Sequence, residues 1–148
     1  MLLLLFHLGD SLHALDASHV VEVLALVRLA KHPGAPVGVV GTLNHRGDTV
    51  PVVDICQFAL GRPAHARLST RIILAKDFTA PGGERVIGLV AEHATETLRQ
   101  DDRPDYLQWD SNADHTRGLV QVVDVPMLVP ESVRHFLYGL SPLPPIVS

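Results

Sequence analysis

Nine histidines and a single cysteine are the residues of this chain most able to do chemistry. A structural or catalytic zinc needs three or four such ligands converging, and short spacings bring them together without help from the fold. His7, His13 and His19 recur every six residues; the others are His32, His45, His65, His93, His115 and His135. None forms HxH, HExxH or a Cys/His cluster, so they read as scattered surface and loop imidazoles, and no metal is expected. The one thiol, Cys56, lies two residues after Asp54. A nucleophile needs a base placed beside it. A Cys–His site is one reading of Cys56; a small hydrophobe facing inward is the other. GxSxG, GxxxxGK[ST] and GxGxxG are all missing, so nucleotide binding lacks its usual phosphate cradle. The acidic pairs Asp101-Asp102 and Asp110…Asp114 sit in a polar stretch and read as solvated. No catalytic residue and no cofactor are expected.

The segment Thr42–Ile55, TLNHRGDTVPVVDI, puts an Arg at the tip of a turn between two apolar runs. Its tripeptide Arg46-Gly47-Asp48 would matter for adhesion only outside the cell. The opening Met1–Phe6 run has no basic flank and is broken by His7, Gly9 and Asp10, too soon for a secretion signal. It reads instead as a first β-strand. No stretch approaches the roughly 20 apolar residues of a membrane helix, so direct membrane insertion is not expected. One cysteine allows no internal disulfide, which fits a cytoplasmic setting. The net charge of −4 argues against nucleic-acid binding, which needs a basic surface to displace counterions.

The elements that must hold the Arg46 turn follow from patterning. With 148 residues there is room for one domain with a real core. Strands are expected at Leu2–Leu8, Leu12–Asp16, Val37–Leu43, Thr49–Val53, Thr70–Lys76, Val86–Ala91, Ala94–Leu98 and Gly118–Val125. A helical turn capped by Asp16 or Ser18 is expected to run through Val23. Asp54 is expected to cap a short helix, Ile55–Leu60, ended by Gly61. Gln100–Asp114 reads as loop. Pro130–Leu140 reads as a terminal helix, followed by a proline-rich tail over 141–148. Many short strands and few helices imply a mainly β barrel or sandwich.

The larger pattern is more specific than the tripeptide. Glu22 in VVEVL is followed by APVGVVGTLNHRGDTVPVVDI, then RIILA, VIGLVAE and GLVQVVDVPMLV. This resembles the CheW-like family of chemotaxis coupling proteins, whose hallmark is a Gly, an Asn-Leu-Arg-Gly turn and a Val-Pro-Val-x-Asp strand. Gly41 matches the first Gly; Asn44, Arg46 and Gly47 match the turn; Pro51 to Asp54 match the strand. The resemblance implies two five-stranded SH3-like β-barrels packed on a shared core, with short helices and a C-terminal helix, as one domain over residues 1–140. It implies a non-enzymatic adaptor that couples chemoreceptor signalling tips to the regulatory domain of a CheA-type histidine kinase. Such an adaptor is cytoplasmic and recruited to membrane-associated receptor arrays. Arg46 would face the receptor, with Asn44, His45, Glu22, Val20 and Val23 around it. Gly41, Gly47 and Gly88 match glycines that serve backbone geometry. His45 stands where the family has Leu, and Ala91-Glu92 where it more often has Val-Asp. RLSTRIILA and GLVAEHATETLR are similar to adaptors of surface-sensing pathways that end in cyclic-di-GMP synthesis. A small β-barrel ligand-binding module, or an enzyme using Cys56 and a histidine, is the alternative from a different class.

Overall fold

The computed structural model describes residues 1–100, 106–111 and 116–139. The expected tail, the Asp101-Asp102 pair, Asp114 and His115 lie outside the described residues, as does the expected domain end at residue 140.

Strands β1 (Leu2–Leu8) and β2 (Ser11–Asp16) make the opening hairpin, with Leu3 opposite Asp16 and Leu8 opposite Ser11. Asp16 caps the next turn, its carboxylate accepting from the Ser18 N–H at 3.0 Å. That turn is a single 3-10 turn, Ala17–His19, and Val20–Ala25 is strand β3, antiparallel to β6. The helical turn expected through Val23 is therefore corrected. Val20, Val21 and Val23 are β-branched, and their stiff χ1 angles favour a pleated surface once a partner strand offers hydrogen bonds.

The hairpin of β4 (Val39–His45) and β5 (Asp48–Asp54) leads into helix α1 (Ile55–Leu60). Asp54 caps α1 by accepting from the Cys56 N–H, and Gly61 ends it in the left-handed conformation, φ 69°. Strand β6 (Arg71–Asp77) precedes β7 (Arg85–Arg99). The two strands expected at 86–91 and 94–98 are one continuous strand. His93, at φ 52°, marks its bend, and the β1–β7 register shifts between Leu5 and His7. A bulge of this kind kinks a strand without ending it. Within the segment expected as loop, Tyr106–Ser111 is strand β8, paired with β9 (Thr116–Val123). Among the described residues β8 pairs with β9 alone. Helices α2 (Val125–Leu128) and α3 (Glu131–Gly139) close the chain.

Strand β7 divides the molecule. Its first half, Arg85–Ala91, pairs with β6 and, in parallel, with β5; its second half pairs with β1. One lobe is thus β7–β1–β2–β9–β8, and the other is β3–β6–β7–β5–β4, five strands each. Neither ladder closes into a ring among the described residues. The nearest approach to closure is an isolated bridge, where Ala30 and Thr42 exchange backbone hydrogen bonds of 2.8 and 3.0 Å.

The alternation of side chains along each strand builds three apolar layers. Leu3, Leu5, Ala14, Val120 and Val122 fill the first lobe. Val50, Val52, Ile72, Leu74 and Val90 fill the second. The intervening residues, among them Leu4, Phe6, Leu15, Val53, Ile73 and Leu89, meet in a larger layer between the lobes. This is why the strands read as continuous apolar runs: both of their faces are buried.

Candidate partner-binding site

The β4–β5 turn is two residues long. His45 pairs with Asp48, and Arg46 (φ 53°) and Gly47 (φ 90°) are both left-handed. Two consecutive positive φ angles define the type I′ turn, whose twist matches the strands it joins. Asn44 reinforces it, its Oδ1 accepting from the Gly47 N–H at 3.0 Å. Pro51 pairs with Thr42 on β4, one residue before β5 begins its second ladder to β7 at Val52. A residue without an N–H is tolerated there. Arg46 is exposed at the tip, and its side chain makes no hydrogen bond or ion pair among the described residues.

Glu22 reaches this turn from β3. His45 Nε2 donates to Glu22 Oε2 at 2.6 Å; a carboxylate only accepts, so the imidazole is the donor. Arg46, Asn44, His45 and Glu22 thus lie at one end of the β4–β5 hairpin. Val20 and Val23 do not join them on the outer surface: both are half-buried and pack against the layer between the lobes. Val21, which sequence reading did not single out, is the exposed one.

The three matched glycines have distinct surroundings. A Cβ at Gly41, φ 147°, would lie 2.5 Å from the Ala30 carbonyl oxygen, so only glycine lets β4 meet that bridge. Gly47 has open space and needs only its positive φ. Gly88 faces the packed interior of the second lobe, where a Cβ would be 2.9 Å from Val52 Cγ2.

The remaining polar groups serve the architecture. Glu92 is buried where β7 passes from one lobe to the other. It accepts from Arg62 at 3.0 and 3.3 Å and from the His65 N–H at 2.8 Å. Burial alone would raise its carboxyl; the hydrogen bonds and the Arg62 charge hold it at about 2. Asp54 also accepts from the Ala64 N–H at 2.8 Å, and burial, above all, pushes its carboxyl up. Asp77, fully buried, accepts from Thr79 and from the Tyr138 hydroxyl at 2.5 Å, which ties α3 to the end of β6.

Cys56 is fully buried, and its thiol is pushed up to about 12 by burial, then by the Asp54 and Glu92 charges. A reactive thiol needs the opposite surroundings, electropositive and accessible. Among the described residues no three His, Cys, Asp or Glu side chains gather to hold a metal, and no helix is long and apolar enough to cross a membrane. A groove of about 370 Å³ is lined by Leu8 and His13 of the opening hairpin, Val123 of β9, Phe58 of α1 and Met127 of α2.

Residues 2–132 match the CheW-like domain family. Protein FrzA of Myxococcus xanthus is 32% identical over 119 residues, covering 78% of this chain and 71% of that protein. The crystal structure of the scaffolding protein TtCheW from Thermoanaerobacter tengcongensis has the same fold. It superposes with a TM-score of 0.62 at 21% identity, over 84% of each chain. Two five-stranded lobes sharing a buried layer, the Asn44-His45-Arg46-Gly47 turn and a match across almost the whole described chain agree: the protein is a member of the CheW-like domain family of chemotaxis scaffold proteins.

Proposed function

We propose that the chain is a non-enzymatic adaptor that links the cytoplasmic signalling tip of a chemoreceptor to the regulatory domain of a CheA-type histidine kinase. The observation that carries this reading is Arg46, exposed on a rigid type I′ turn beside the Glu22–His45 pair. A forked cation on a preformed hairpin suits a carboxylate on a partner helix. The apolar groove lined by the first lobe, α1 and α2 offers a seat for the apolar stripe of such a helix. Asn44 and Gly47 fix the turn; Val20 and Val23 support β3 from beneath. The kinase would pack against the ends of the lobes, and the adaptor would be recruited to receptor arrays at the membrane without entering it. The buried, acid-flanked Cys56 supports this over a thiol enzyme.

Arg46→Glu tests it. Truncating a central Arg anchor costs on the order of 2 kcal/mol, about 30-fold in affinity. A pull-down with a receptor cytoplasmic fragment should show that loss with the fold intact; equal binding by the folded variant would remove Arg46 from the interface. Titrating the kinase regulatory domain without nucleotide should give binding heat, and silence at high micromolar concentration would argue against the scaffold role. The narrower reading, an array with cyclic-di-GMP output, requires the partner kinase to phosphorylate a cyclase-type response regulator.

A further inference from the structure

Strands β3 and β4 share no ladder, yet His45 and Glu22, 23 residues apart, touch across that gap. At 2.6 Å the contact is shorter than an ordinary N–H···O bond. The His45 side chain is 15% exposed and that of Glu22 39%, so the pair sits at the rim of the partner face. Arg46 follows His45 directly, one Cα step of about 3.8 Å away. Asp48, exposed and opposite His45 in the hairpin, already puts one carboxylate at the turn. A second free carboxylate at Glu22 would set two against one guanidinium, and the long Arg stem would fold back onto them.

Resting on the adaptor reading, we propose that His45 is a specificity-determining residue: by occupying Glu22 it keeps Arg46 available and makes the turn select an acidic partner group. Glu22 then serves by being engaged, and a basic partner residue finds no free carboxylate on β3 to grip. A leucine at this position has no donor to offer Glu22.

Four variants test this by calorimetric titration with a chemoreceptor signalling-tip fragment at low ionic strength: His45→Leu, His45→Gln, Glu22→Gln and the double variant His45→Leu/Glu22→Gln. His45→Leu should weaken binding by about fivefold, a coupling typical of groups in contact. His45→Gln retains a side-chain donor and should stay within about twofold of the wild type. Glu22→Gln removes the competing charge and sets the reference affinity for the double variant. The double variant should bind as tightly as Glu22→Gln alone, because the carboxylate released in His45→Leu is gone. A merely structural role for His45 would not be rescued in this way. If the double variant remains as weak as His45→Leu, or His45→Leu binds like the wild type, the inference is overturned while the adaptor reading stands. If the wild type itself does not bind the fragment, the adaptor reading falls and takes this inference with it.

Discussion

Gly88→Ala is the most direct probe of how tightly the second lobe is built. Gly88 lies on β7 between β5 and β6, opposite Val52 on one side and Leu74 on the other. Its added Cβ would stand 2.9 Å from Val52 Cγ2, 3.2 Å from Ile72 Cγ2 and 3.5 Å from Leu74 Cδ2. Carbon atoms rest comfortably at about 3.5–4.0 Å, so Val52 must retreat by about 0.6 Å. It has little room to do so. Val52, Ile72 and Leu74 are fully buried, and the first two are β-branched with restricted χ1. Overpacking of this kind costs about 1–3 kcal/mol. The substitution also removes backbone freedom from the unfolded chain, which returns about 0.4–1 kcal/mol. The net expectation is a loss of about 1–2 kcal/mol, or a Tm lower by about 2–8 °C for a chain of this size. Urea unfolding followed by circular dichroism should show a lower midpoint with unchanged slope. Shortening Val52 to Ala in the Gly88→Ala background should cost less than in the wild type, because the methyl in conflict is the one removed. Equal or greater stability of Gly88→Ala would refute the packing argument.

Other consequences follow from the buried polar groups. Tyr138→Phe deletes a donor to the fully buried Asp77 and should cost about 1.5–3 kcal/mol in urea, as for a hydrogen bond to a charged group; a change below about 0.5 kcal/mol would contradict the proposed tie between α3 and β6. Glu92 is held at about 2, so its contribution to stability is complete above the ordinary carboxyl range and is lost as pH falls from about 5 toward 2. Glu92→Gln should flatten that acid limb. Asp77, also lowered, leaves part of it in place, and Asp54, raised by burial, works in the opposite direction. An unaltered limb in Glu92→Gln would mean that the Arg62 contact does not set it. Cys56, with its thiol at about 12, should resist a thiol reagent at pH 8 and react only as the protein unfolds. Rapid stoichiometric labelling of native protein would restore thiol chemistry as a possibility.

Much of the fold is legible in local pattern. The opening hairpin, the Arg46 turn, the Asp54 cap and the Gly61 stop are decided within a few residues by turn chemistry and capping. What fails locally is whatever depends on a distant partner. Val20–Ala25 needs β6, some 50 residues on, to become a strand. Tyr106–Ser111 is polar enough to read as loop and needs β9 to pair with. His93 looks like a break between two strands, yet β7 runs through it, because β6 and β5 hold one half and β1 the other. The site divides in the same way. The turn residues are visible in one segment, but the Glu22–His45 contact joins two segments that no periodicity connects. Val20 and Val23, expected from the resemblance to lie around Arg46, pack inward, and position along β3 does not reveal which pleat faces out across a register shift.

His45 and Glu92, the two positions where the expected resemblance is weakest, share a feature that the sequence alone does not supply. Each is one member of a carboxylate pair that spans elements distant in the chain: His45 with Glu22, and Glu92 with Arg62. The surroundings separate their roles. Glu92 is buried at the crossing of β7 and accepts three hydrogen bonds from Arg62 and His65, so changing it disturbs how the loop after α1 is held. The Glu22 side chain is 39% exposed and its partner lies beside the turn tip, so changing His45 alters what a partner meets before it alters what the chain folds into. An exposed ion pair is worth little to stability, about 0–1 kcal/mol, whereas a charge exposed or hidden at an interface rim acts on partner choice and association. Change at position 92 is therefore constrained by the fold, and change at position 45 acts first on what a partner meets.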